Sequence, residues 1–225
     1  MARLRPLAAL TAASLAAALT TVPAHAAFAA PAPTRSTSVT ARLSERDVDQ
    51  VPCAEHIGAN ATYHANGATY TTDAQGRPLR AEADDLTAGV ADRGPCQRAV
   101  GHMGPTAGYD GGHLIAATLH GVDERYDLVP QWASVNRGIY ERMESGAKKC
   151  LQAPGGRITH YRIRVSYPDA TALAPDLYFT DVAIDTAAHT AQTIRLTIPN
   201  RALDNTEYTR LRRELDQRLT AAGCT

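Results

Sequence analysis

Four residues in the middle of this chain have types and spacing that could do chemistry together. His113 closes the run Asp110-Gly111-Gly112-His113 and leads into the apolar stretch Leu114-Ile115-Ala116-Ala117. Asn136 follows 23 residues later, and Glu144 and Lys148 stand eight and twelve residues beyond it. Imidazole can take a proton from water near neutral pH. A hard cation such as Mg²⁺ stabilises charge on a leaving oxygen, and because it keeps most of its waters, one amide oxygen with outer-shell carboxylates can hold it. A further cation can stabilise a pentacovalent phosphate. His113, Asn136, Glu144 and Lys148 supply one group for each requirement of phosphodiester hydrolysis. Each has a plainer reading when taken alone: a structural histidine, a helix cap, a solvated acid and a surface lysine.

These residues need elements to position them. Ser134 could cap a helix running to about Ser145, with Val135, Ile139 and Met143 as its apolar stripe. Asn136, Tyr140 and Glu144 then form a polar stripe that turns by roughly 40° every four residues. Lys148 lies further round, beyond Gly146, which could end the helix or merely weaken it. Upstream, residues 61–65 and 68–72 read as strands joined by Asn66-Gly67, a hairpin signal, and 79–83 as a third strand. Residues 87–108 lack periodicity and read as a loop tied down by Cys96. Downstream, 158–167, 177–184 and 193–198 read as strands and 205–222 as a closing helix. Strands, helix, strands, helix in this order imply an α+β domain around an antiparallel sheet.

The chain has 225 residues and 23 basic against 23 acidic side chains. Arg3 and Arg5, an alanine-rich apolar run and Ala24-His25-Ala26 form the pattern of a secretory signal over residues 1–26. That run is short and diluted for a membrane anchor. Residues 27–52 read as a flexible leader, rich in Ala, Pro, Ser and Thr. The remainder, 53–225, is long enough for one core. It contains all four cysteines, Cys53, Cys96, Cys150 and Cys224. In an exported chain this even count favours two disulfides, with three pairings open. The neutral total does not advertise a nucleic-acid binder, but seven basic residues between Arg137 and Arg164 face only Glu141 and Glu144, so a local basic face is possible.

Three ordered segments resemble the DNA/RNA non-specific endonucleases of the ββα-metal superfamily, most closely the compact bacterial branch. The family signature is Asp-Arg-Gly-His-Leu-Ile, then Asp-Asn-Leu-Val-Pro, then Val-Asn-Arg-Gly-x-Tyr/Trp-x-x-Met-Glu. This chain reads Asp110-Gly111-Gly112-His113-Leu114-Ile115, then Tyr126-Asp127-Leu128-Val129-Pro130, then Val135-Asn136-Arg137-Gly138-Ile139-Tyr140-Glu141-Arg142-Met143-Glu144. The resemblance spans roughly residues 60–165 and implies a ββα-metal core on an antiparallel sheet with flanking helices, in a nuclease domain, 53–225, that Cys53 and Cys224 nearly bracket. It implies His113 as general base, Asn136 as the single protein ligand of Mg²⁺ (Mn²⁺ as alternative), and Glu144 as the residue orienting a water of the cation's shell. Lys148 would stand near the phosphate, Asp110 would fix the loop, and Asp127 would shape it. DNA is the expected substrate, with RNA second, and the expected protein is secreted, extracellular, without a membrane span, and monomeric by default.

One departure is evident: the family's arginine beside the glycine is Gly111 here, with Arg137 and Arg142 as possible substitutes. The competing expectation is a secreted module that keeps the fold and binds nucleic acid or an envelope partner without cleaving. A metal-independent ribonuclease is a third class, separated by cleavage that survives EDTA.

Overall fold

A computed structural model describes residues 53–89, 94–189 and 191–224. The expected signal peptide and leader lie outside these residues. Six antiparallel strands form the main sheet: β1 (Thr62–Ala65), β2 (Ala68–Thr72), β3 (Pro78–Ala83), β6 (Arg157–Ser166), β7 (Leu177–Asp185) and β8 (Gln192–Pro199), in the order β1-β2-β3-β6-β7-β8. Between β3 and β6 the chain makes α1 (Pro95–Gly101), then a separate antiparallel pair, β4 (Tyr109–His113) and β5 (Leu128–Trp132). A helix follows β5 directly, as α2 (Ala133–Val135), a π-helical segment (Asn136–Tyr140) and α3 (Glu141–Gln152). The helix α4 (Asn205–Ala221) comes last.

The β1–β2 turn forms as its sequence requires, with Asn66 and Gly67 both at positive φ (49° and 78°), which suits the right-handed twist of a hairpin. Alternation along β6 sends Tyr161, Ile163 and Val165 inward, and β7 and β8 add Tyr178, Val182, Ile194 and Ile198. Against this face pack Ile139 and Met143, with Leu211 and Leu215 of α4. The alternate residues of the sheet face outward, where Arg162 pairs with Glu82 (2.7 Å) and Arg164 lies over the Phe179 ring. The basic run 137–164 is therefore divided between helix and sheet rather than gathered on one face. Arg137 and Arg142 are bound to Asp110 and Asp216, both at 2.6 Å.

Three local expectations change. Residues 87–108 contain α1 rather than loop alone. Its N-terminus is capped from a distance: the Asp123 carboxylate accepts from the N–H groups of Cys96 (3.1 Å) and Gln97 (2.8 Å). Secondly, Ser134 makes no capping hydrogen bond, since the helix begins at Ala133 after Trp132. Thirdly, the helix passes through Gly146 to Gln152, because Leu219 of α4 packs where a side chain at 146 would stand. Two disulfides close the fold, Cys53–Cys96 and Cys150–Cys224. The second joins the ends of α3 and α4. Among the described residues no helix is long and apolar enough to cross a membrane.

Candidate active site

The pair β4–β5 and the helix after it form a ββα unit, and the four sequence-selected residues lie on it. His113 is the last residue of β4, opposite Leu128, and is 93 % buried by its neighbours, at 7 % relative exposure. The chain leaving it is held tightly. Asp127, fully buried, accepts from the N–H of Ile115 through one oxygen and of Val122 through the other, both at 2.8 Å. Burial pushes its carboxyl well above the usual range, and these N–H donors oppose that shift. The buried Tyr140 hydroxyl donates to the Leu114 carbonyl (3.1 Å). The imidazole thus sits on backbone fixed from both sides, and Asp127 shapes the loop as expected.

Asp110, three residues earlier on β4, connects strand to helix. Asn136 donates from Nδ2 to Asp110 Oδ2 (3.0 Å), and Arg137 donates from Nε to the same oxygen (2.8 Å) and from Nη2 to Oδ1 (2.6 Å). A carboxylate only accepts, so this contact fixes which end of the amide is which: the nitrogen faces Asp110 and the oxygen is left to accept or ligate. The Asp110 carboxylate also holds the Arg137 guanidinium above its ordinary pKa, through the hydrogen bond first and charge second.

Asn136 opens the π-helical segment. On a straight α-helix Asn136 and Glu144 would stand about 80° apart. The wider turn absorbs an extra residue and returns Glu144 toward the face of Asn136. Both line one cleft of about 660 Å³ together with Asp110 and His113. Lys148 is half-buried one turn further along α3 and is not part of the cleft wall. The alignment that brings Glu144 in leaves Lys148 about 6 Å further along the axis.

The opposite wall is α1, within the segment whose sequence reads as a loop. Gln97, Arg98, Gly101 and His102 line the cleft at helical spacing. Gln97 Nε2 donates to the Gly111 carbonyl (2.9 Å). Gly111 is where the helix comes closest: an added Cβ would overlap the Gln97 carbonyl oxygen and stand 2.8 Å from its carbon. The signal for this wall was thin, a seven-residue helix opened by Pro95.

A divalent cation can be tested against these donors. Among the described residues there is no group of three His, Cys, Asp or Glu side chains that could hold a metal. The site instead presents an amide oxygen, oriented by Asp110, with Glu144 lining the same cleft. Hard oxygen donors of this kind suit Mg²⁺, which keeps several waters and needs few protein ligands. The residues fit such an ion.

The family model described as "DNA/RNA non-specific endonuclease" matches residues 59–182, more than half of the chain. Similar solved structures include NucA from Streptococcus agalactiae with no metal bound, at 20 % identity and a TM-score of 0.46, covering 71 % of this chain and 81 % of that one. The magnesium-bound form of NucA gives 20 % and 0.45, covering 68 % and 80 %. A chain of the EndoG/EndoGI complex gives 14 % and 0.49, covering 66 % and 77 %.

Proposed function

This chain belongs to the DNA/RNA non-specific endonuclease family, whose members are hydrolases acting on nucleic acids, and from that premise we propose a secreted, metal-dependent endonuclease that cleaves phosphodiester bonds of DNA and, as a second substrate, RNA. The observation that carries this reading is the meeting of His113, Asn136 and Glu144 in one cleft. His113 accepts a proton from the attacking water. Its backbone is braced by Asp127 and Tyr140, so the imidazole is presented without reorganisation. Asn136 offers its amide oxygen to Mg²⁺ or Mn²⁺, and Asp110 keeps that oxygen turned outward by holding the amide nitrogen. Bound there, the cation would supply Lewis-acid stabilisation of charge on the scissile phosphate and the leaving oxygen. Glu144 orients water at the same face. Lys148 has no contact with the reacting phosphate in this scheme, because it stands off the cleft wall.

Export is supported by the signal pattern in residues 1–26 and by two disulfides, which persist in oxidising compartments. The same reading divides the chain into signal peptide, leader at 27–52 and nuclease domain at 53–225. The test is cleavage of plasmid DNA and of RNA by purified protein with Mg²⁺ or Mn²⁺, with and without EDTA, beside His113→Ala. Cleavage lost in both controls supports the reading. Intact nucleic acid under all conditions, or cleavage that persists in EDTA, contradicts it.

A further inference from the structure

The cleft is short of positive charge for a polyanionic substrate. Asp110, Glu141 and Glu144 all line it. Arg137 is on the wall, but its guanidinium is bound to both oxygens of Asp110. Arg142 is bound to Asp216 and does not line this cleft, and neither does Lys148. Position 111 cannot supply the missing charge, since any side chain there would run into the backbone of α1 at Gln97.

That same helix supplies a cation. Arg98 follows Gln97, is exposed and lines the cleft. Among the described residues it has no carboxylate partner. Its helix is held firmly: Cys96 is bonded to Cys53, Asp123 caps the first turn, Gln97 is tied to Gly111, and Cys96 and Val100 pack with Leu128. An arginine on such a support loses little entropy of its backbone when it binds, and its planar fork matches a phosphate bidentately.

We infer that Arg98 is the cationic contact for a backbone phosphate of the nucleic acid in this cleft, carried by the helix α1 whose Gln97 backbone lies close against Gly111. The inference rests on the reading that the cleft binds a phosphodiester, and it adds a residue that touches substrate without taking part in proton transfer.

The test separates the two. Binding of a fluorescent 20-base-pair DNA is measured by anisotropy across a KCl series in a His113→Ala background, where the DNA stays intact, and the wild-type protein is assayed for cleavage in parallel. Arg98→Ala is expected to weaken binding about tenfold and to make the slope of log K against log salt shallower by about 0.9, the value for one lost phosphate contact. Arg98→Lys should keep the slope and recover part of the affinity. Arg195→Ala, on β8 and paired with Asp181, should match the parent. Alanine is a good helix former and Arg98 has no described partner, so the thermal midpoint should stay where it was. Unchanged affinity and slope in Arg98→Ala, with wild-type cleavage intact, would overturn this inference and leave the nuclease reading standing. A His113→Ala protein that does not bind DNA, together with a wild-type protein that does not cleave it, would overturn both.

Discussion

Restoring a side chain at position 111 should damage this protein rather than improve it. In open space, Gly→Ala at an ordinary φ stabilises a fold by about 0.4–1 kcal/mol through the unfolded chain. At Gly111 the added Cβ meets backbone, with the Gln97 carbonyl carbon at 2.8 Å and its Cα at 3.0 Å. The helix cannot easily retreat, because the Cys53–Cys96 disulfide and Asp123 hold it. Overpacking of this kind costs about 1–3 kcal/mol, and a fixed backbone obstacle puts Gly111→Ala near 3. Offset by the unfolded-state gain, the net loss is about 2 kcal/mol. For a domain of this size each kcal/mol moves Tm by roughly 2–4 °C, so Tm should fall by roughly 4–8 °C. Gly111→Arg should fall at least as far and lose activity, since the α1 wall must shift away from β4. Differential scanning calorimetry, with initial rates on plasmid DNA, measures both. A Gly111→Arg protein with wild-type Tm and faster cleavage would show that the Gln97 backbone does not obstruct a side chain at this position.

Two further outcomes follow from the same geometry. Asp110→Ala frees the Asn136 amide to turn, so activity should fall about 10–100-fold, the usual cost of losing a residue that orients a ligand, with a higher Mg²⁺ concentration needed for half-maximal rate. Stability should change by less than about 1 kcal/mol, because Arg137 is 72 % exposed; a Mg²⁺ titration and urea unfolding read the two effects separately. Glu207 is held at about 2 by its hydrogen bond from Arg201 first, with the N-cap N–H of Asp204 and nearby charge adding to it. A depressed carboxyl stabilises the fold above its unfolded value of 4.5 and loses that contribution as pH falls toward 2. Glu207→Gln should therefore be less stable than wild type at pH 7, with the difference closing between about pH 4.5 and pH 2; a gap that persists at pH 2 would contradict the assignment.

The sequence was most legible where local pattern and tertiary demand agree. Asn66-Gly67 specified a hairpin, the alternation of Tyr161, Ile163 and Val165 specified β6, and the strands 177–184 and 193–198 fall within β7 and β8 to a residue or two. The motif residues Asp110, His113, Asn136 and Glu144 do meet in one cleft. Legibility failed where distant groups do the stabilising. The helix α1 is too short to show a period, and its cap comes from Asp123, 27 residues beyond Cys96. The strands β4 and β5 contain Gly111, Gly112 and Pro130, residues with poor strand propensity, and form because α1, Asp127 and the helix face cover them. The π-helical turn is equally invisible in composition, and without it the angular positions of Glu144 and Lys148 come out wrong. The two basic residues that sequence proposed as substitutes, Arg137 and Arg142, proved to be bound to Asp110 and Asp216. No one-dimensional pattern distinguishes a paired arginine from an available one.

In the proposed reaction, His113 and a cation held at Asn136 cleave a phosphodiester in the cleft between α1 and the ββα unit. Its most direct measurement is single-turnover cleavage of a labelled DNA duplex by wild type, His113→Ala and Asn136→Ala, each with Mg²⁺ and with EDTA. Cleavage is expected from wild type with Mg²⁺ alone, none detectable from His113→Ala, and a strongly reduced rate from Asn136→Ala. Cleavage by His113→Ala at the wild-type rate, or wild-type cleavage that survives EDTA, would contradict it.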